Sequence, residues 1–274
     1  MRYIIYLSFL LFAIQSVAVR AQMFNINELN YGFANYMGTG IYKVADREIQ
    51  VYQIPFSYDF KKENTHKWQH TLRAPVTLGF YDFDSSDFLD RNLPDSISTF
   101  SFVPGIQSLY LMNENWRIGA FLDAGIVTNQ EENETNNIYG TGIISYFNYD
   151  YNDTTITLFN RLLYARDSGS NIEEADDYAS FETGLDFLFP PISIDQNSKI
   201  DFSTYYINHR YFDNLNFLRL SQRPVEVVIQ HELGITFELK KSLNYKYLTI
   251  PRIGIGYRFG DNLSIIRIVI GSAF

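Results

Sequence analysis

No cysteine occurs in this chain. Disulfide stapling and thiolate metal sites are thereby excluded. Beyond residue 21 there is no run of about 18 apolar residues, so no membrane-spanning helix is expected. Positive charge is scarce: 22 Lys and Arg stand against 31 Asp and Glu. That sign is wrong for a phosphate backbone, and nucleic acid is excluded as a partner. Histidine is sparse, at His66, His70, His209 and His231. Tryptophan occurs twice, whereas tyrosine and phenylalanine number 21 and 23. Such a Tyr and Phe load suits strands and membrane interfaces.

The first residues read as an export signal. Arg2 gives a positive start, Tyr3 to Val17 is mostly apolar, and Val19-Arg20-Ala21 offers small residues where a signal peptidase reads. Residues 1–21 are therefore expected to be a cleaved signal peptide, and 22–274 a single barrel domain. Losing Arg2 and Arg20 moves the formal net charge from −9 to −11.

The remainder alternates with a period of two, which belongs to strands. In "VEVVIQHELGITFEL", Val225, Val227, Ile229, His231, Leu233, Ile235, Phe237 and Leu239 share one face. Glu226, Gln230, Glu232, Gly234, Thr236 and Glu238 dominate the other. "WRIGAFLDAGIV", "IPRIGIGYRFG", "FETGLDFLF" and "LRAPVTLGF" repeat the pattern. The end, "LSIIRIVIGSAF", sets Ile266, Ile268, Ile270 and Phe274 against Arg267, Val269, Gly271 and Ala273. Segments this long exceed the usual soluble strand and suit a tilted membrane crossing.

Twelve strands are expected, near 31–44, 47–60, 67–82, 98–111, 115–128, 137–150, 153–166, 177–190, 198–212, 223–240, 246–259 and 262–274. An even count suits a single-chain barrel with both ends on one side. In lipid every backbone polar group needs a partner, so the sheet must close. The expected fold is all-β, an antiparallel transmembrane β-barrel of 12 strands closed by pairing of the first and last. Acidic loops at 82–98, 129–137 and 167–177 are expected outside, with tight turns at 113–115 and 150–153 in the periplasm. The connections at 61–66 and 191–197 are long for periplasmic turns. Residues 25–36, "NINELNYGFANY", are read as leading into the first strand, with a short lumenal segment as the alternative.

"GTGIYKVADREIQVYQIPFSYDF", "PGIQSLYLMNENWRIGAFLDAGI", "FETGLDFLFP" and "GYRFGDNLSIIRIVIGSAF" together resemble the solitary outer membrane autotransporter-like β-barrel family. The second is similar to a hairpin of autotransporter translocator domains: "PG" into a strand, Asn-Trp at the turn, then Asp-Ala-Gly. The resemblance implies residence in the outer membrane of a Gram-negative cell. It implies contact with outer-membrane lipid and lipopolysaccharide, and delivery by the barrel assembly machinery. Phe274 resembles the C-terminal aromatic assembly signal of such barrels. No passenger segment is expected ahead of the barrel, so kinship of fold is implied and secretion activity is not.

Chemistry is sparse. His231 lacks a serine two residues away on its own face, and His66 and His70 bracket a turn. The clusters Asp82-Asp84-Asp87-Asp90 and Glu173-Glu174-Asp176-Asp177 lack a glycine-pinned ligand loop. No catalytic, cofactor or metal site is expected. The expected function is that of a non-catalytic barrel, a structural module or a narrow porin-like pore for small solutes. The alternative is a barrel enzyme acting on lipid or polysaccharide. Lumen-lining charges are expected at Arg73, Arg117, Asp123, Arg161, Glu182, Asp186, Asp201, Glu226, Glu232, Glu238, Arg252, Arg258 and Arg267. Positive and negative members nearly balance, which implies cross-lumen pairing and at most weak anion preference.

Overall fold

The computed structural model describes residues 34–44, 47–60, 67–81, 99–129, 134–168, 176–193, 199–212, 227–239, 244–245, 248–249, 252–261, 263–271 and 274. The alternating segments become twelve barrel strands. They are β1 (Gly40–Val44), β2 (Arg47–Asp59), β3 (Trp68–Tyr81), β4 in two pieces (Thr99–Phe102 and Gly105–Asn113), β5 (Trp116–Asn129) and β6 (Glu134–Tyr151). Then come β7 (Thr154–Ser168), β8 (Asp176–Leu188), β9 (Lys199–Tyr211), β10 (Ile229–Leu239), β11 (Ile253–Gly260) and β12 (Leu263–Ile270).

Each strand pairs antiparallel with its chain neighbour. β1 pairs with β12, Gly40 opposite Arg267, and closes the ring. Every strand edge is thereby used. β4 breaks at Val103-Pro104, where proline has no N–H to give to the ladder. Both pieces still bridge β3 and β5. Two small additions lie outside the ring: Ile192–Ser193 extends the start of β9, and Asn244–Tyr245 pairs with Leu248–Thr249.

Side-chain direction follows the pleat. On β5, Leu122 is 61% exposed while Phe121 and Asp123 are buried. On β11, Ile253, Ile255 and Tyr257 face out, while Gly256 and Arg258 are buried. On β12, Ile266, Ile268 and Ile270 face out, with Ile265 and Val269 inside. Aromatic side chains band the outer wall at the end that carries Gly40 and Ile270. Tyr58, Phe60, Trp68, Tyr149 and Tyr151 are exposed there. Phe202 packs between Phe189 and Phe237 at the same end. Toward the other end lie Tyr164, Tyr257 and Phe259. Aromatics at both margins of an apolar band are the pattern of a barrel that meets lipid.

Details of the strands depart from the sequence reading, among them β11, which begins at Ile253 and not near 246. Residues 34–37 form a one-turn helix, α1 (Ala34–Met37), where the first strand was expected. β10 begins at Ile229, not near 223, and Val227 is fully buried in the interior. β5, β6 and β7 run farther than expected, while β8 starts one residue earlier, at Asp176, and stops earlier, at Leu188. The long ladder β6–β7 ends at Asn152, whose φ of 52° sits in the tight turn.

Candidate functional site: a charged, packed lumen

The inward faces of β7 to β12 meet in one ionic cluster. Arg161, Glu182 and His209 stand in a single register row on β7, β8 and β9. Arg161 Nη2 donates to Glu182 Oε1 at 2.6 Å. His209 lies between two carboxylates, with Nδ1 3.5 Å from Glu182 and Nε2 3.6 Å from Glu232. Glu232, with no solvent exposure, is the hub. Arg258 donates through Nε and Nη2, both at 2.8 Å. Arg267 donates through Nη1 at 2.9 and 3.1 Å. Tyr205 OH donates at 2.7 Å.

Glycine makes the long reach to Glu232 possible. Arg267 stands on β12 and Glu232 on β10, with β11 between them; the β11 residue opposite Arg267 is Gly256. A Cβ on Gly256 would fall 2.2 Å from Tyr205 Oη and 2.9 Å from Glu232 Oε1. The same device recurs across the barrel. Arg73, Gly105 and Asp123 share a row on β3, β4 and β5. Arg73 passes over Gly105 to reach both Asp123 oxygens at 2.7 and 2.8 Å. A Cβ on Gly105 would lie 1.7 Å from Asp123 Oδ1. Arg73 also sits 4.8 Å over the Phe121 ring.

The remaining expected lumen charges are placed as follows. Arg117 lies 5.1 Å over the Tyr146 ring. Arg252 Nη1 donates to Asp186 Oδ2 at 3.1 Å, and its Nε is 3.9 Å from Glu238. Asp201 is on the inward register of β9, two residues before buried Ser203. Glu226 lies outside the described residues, as do His66, the cluster at 82–90, Glu173 and Glu174. Among the described residues, no group of three or more His, Asp or Glu is placed to hold a metal.

Other lumen residues stand outside the expected charges, and for the described part of residues 25–36 the alternative reading, a short lumenal segment, is the one observed. α1 lies against the inner wall of β2 to β5. Asn35 Oδ1 accepts from Thr77 Oγ1 at 2.8 Å and Ser101 Oγ at 2.7 Å. Its backbone carbonyl accepts from Gln53 Nε2 at 2.9 Å. Tyr36 OH donates to Asp123 at 3.4 Å, and Met37 is buried in the core. Phe274 also departs from the face assigned to it. After Gly271, at φ 93°, the chain end turns from the outward-facing row into the lumen. The Phe274 ring stacks on Phe159 at 4.7 Å and meets Tyr205 edge-on. Gly184 supplies the slot, since a Cβ there would fall 2.6 Å from Phe274.

His231, on the outer wall, accepts or donates at 2.8 Å with Tyr206 OH and stacks between Tyr206 and Phe259. His70 Nδ1 is 2.8 Å from Ser108 Oγ on exposed wall.

No family model and no curated protein matches the chain. Among solved structures it is similar to the β domain of the Bordetella autotransporter BrkA. The identity is 9%, covering 83% of this chain and 91% of that one, with a TM-score of 0.47. At that distance no residue corresponds usefully, and the barrel rests on its own strand pairings.

Proposed function

We propose that this protein is a non-catalytic barrel of the Gram-negative outer membrane, exported by its signal peptide, with a narrow lumen held shut by its own charges. One observation carries the reading: lumenal Arg and acidic side chains pair along the inner wall, mostly between strands one or two apart, and not across the lumen as their balance of charge had implied, inside a wall whose outer face is apolar. A ring of twelve strands is wider than one that side chains fill unaided. Here the arginines, tyrosines and α1 supply the filling. In membrane orientation, the end bearing Gly40 and Ile270 faces the periplasm, where the tight turns at 114–115 and 152–153 also lie. Lipid and lipopolysaccharide cover the outer wall. The reading is tested by planar-bilayer recording and by gel migration before and after boiling. A heat-shifted band with small or absent conductance and weak anion preference is expected. A wide, strongly cation-selective pore would contradict the paired lumen.

Leu122 gives a sharper test of the membrane. On a protein in water, a charge at so exposed a site costs within about ±0.5 kcal/mol. Leu122→Arg in lipid is expected to cost about 2–4 kcal/mol if the site lies near the bilayer centre. Urea midpoints of the parent and variant in vesicles measure this, and equal midpoints would remove the lipid from the argument.

Phe274 serves in this reading as the signal that the assembly machinery reads on the unfolded chain. Its burial in the lumen then withdraws it once the barrel closes. Phe274→Ala should cost the folded barrel at most about 1.5–3 kcal/mol of burial. Membrane yield in cells should fall further than refolding yield in vitro. Equal losses in the two assays would leave Phe274 a packing residue only.

A further inference from the structure

The outer wall carries a polar row where lipid should be. Ser145, Asn160, Thr183, Asn208 and His231 are register partners in sequence on β6, β7, β8, β9 and β10. Each sits between residues that point inward: Asn160 between Phe159 and Arg161, Thr183 between Glu182 and Gly184, Asn208 between Ile207 and His209. A row of hydrogen-bonding groups on a lipid-facing wall is costly unless something satisfies it.

The two ends of the row are satisfied within the chain. Ser145 Oγ accepts from Trp116 Nε1 at 2.9 Å. His231 is bonded to Tyr206 OH, and Asn208 Nδ2 is 3.4 Å from His231 Nδ1. The centre is not. Among the described residues, neither the Asn160 amide nor the Thr183 hydroxyl makes a side-chain hydrogen bond. Both stand near the midpoints of β7 and β8, which is the depth of the acyl chains.

We propose that the wall of β7 to β9 is a self-association surface, on which Asn160 and Thr183 pair with the same residues of a second copy. The inference rests on the membrane placement proposed above. Depth and symmetry select this occupant. Lipid acyl chains near the bilayer centre offer no donors or acceptors, so lipid leaves both groups bare. Copies inserted in one orientation are related by a two-fold axis along the membrane normal. Such an axis puts every residue at the height of its counterpart, and the interface is self-complementary. An amide and a hydroxyl each donate and accept, so they satisfy their own copies.

Strand tilt fixes where the contact falls. The row is perpendicular to strands that tilt by about 35–45°, so it climbs the wall obliquely. Viewed face to face, the rows of two copies slope in opposite senses and cross once. The crossing coincides with the unsatisfied centre, while the outlying Ser145 and His231 diverge and keep their internal partners. Beside the row, a groove of about 620 Å³ lined by Tyr206, Leu233, Ile235 and Tyr257 leaves the wall concave enough to receive a neighbour's apolar side chains.

The absence of native cysteine makes the test direct. Single variants Asn160→Cys and Thr183→Cys, reconstituted in dilute lipid vesicles and mildly oxidised, should form disulfide-linked dimers. Leu122→Cys, exposed on β5 away from the row, should remain monomeric. Failure of both central variants to cross-link, or equal cross-linking of Leu122→Cys, overturns the proposal. In a second measurement, Asn160→Leu combined with Thr183→Val should sediment as a monomer in detergent where the parent sediments as a dimer. The heat-shifted band should persist in that variant, which separates loss of association from loss of the barrel. A parent that is monomeric yet loses a co-purifying lipid on the double substitution overturns the proposal in favour of a lipid site.

Discussion

Glu232→Ala is expected to be among the most damaging single substitutions in the barrel, costing about 3–5 kcal/mol. The reason is not the worth of one ion pair. Glu232 is fully buried and takes hydrogen bonds from Arg258, Arg267 and Tyr205. Removing it leaves two guanidinium groups facing each other with their neutralising charge gone. Arg258 is itself only 2% exposed. Glu232→Gln keeps the shape and some of the bonds but loses the charge, and should fall between the parent and alanine. Arg267→Ala should cost less, because Glu232 keeps Arg258. Replacing Glu232 and Arg258 together by Leu and Met should recover only part of the loss, since it removes the buried pair but still takes from Arg267 its bonds to Glu232. Urea midpoints of the heat-shifted band in vesicles rank the four. If Glu232→Ala matches the parent, water reaches the cluster and the lumen is open there.

The strands were legible because one side of each meets a different solvent from the other. In "IGIGYRFG", apolar Ile253, Ile255, Tyr257 and Phe259 alternate with glycines and Arg258, and the pleat carries that straight into outward and inward faces. The inward charges were legible for the same reason, but which arginine meets which carboxylate was not. Arg73 and Asp123 are separated by a whole strand, and only the register puts Gly105 between them. β9 hid its sites because neither face is apolar. Ser203, Tyr205, Ile207 and His209 point in, while Thr204, Tyr206, Asn208 and Arg210 point out. The alternation signal is silent on such a strand, and both His209 and the outer polar row passed unread. α1, whose region had a short lumenal segment only as the alternative, was passed over on different grounds. Four residues have too little intrinsic helix tendency to be read. Their conformation is set by contacts with Thr77, Ser101 and Asp123, far along the chain. Val227 and Phe274 depart from their neighbours' face because the strand has stopped, and with it the rule that assigned them.

α1 is the part of the filling that is not itself wall, so conductance should depend on it most steeply. Its grip includes Asn35 on Thr77 and Ser101, the Asn35 carbonyl on Gln53, Tyr36 on Asp123, and the burial of Met37 in the core. Asn35→Ala removes the two side-chain bonds, each worth about 1 kcal/mol net. The population with α1 released should therefore rise on the order of tenfold or more. Adding Tyr36→Ala removes the remaining side-chain anchor to Asp123 and empties the space over Gly140, where the Tyr36 ring now lies. The double variant should keep its heat-shifted band, because the wall pairings do not involve α1, and should show openings that the parent lacks. A lock provides the converse. Asn35→Cys with Ser101→Cys places a thiol on each of two side chains that now touch. Conductance should be low when the pair is oxidised and should rise on reduction. If neither release nor locking changes the current, the charged cluster of Glu232, Arg258 and Arg267 is the true constriction, and Glu232→Ala should open the pore instead.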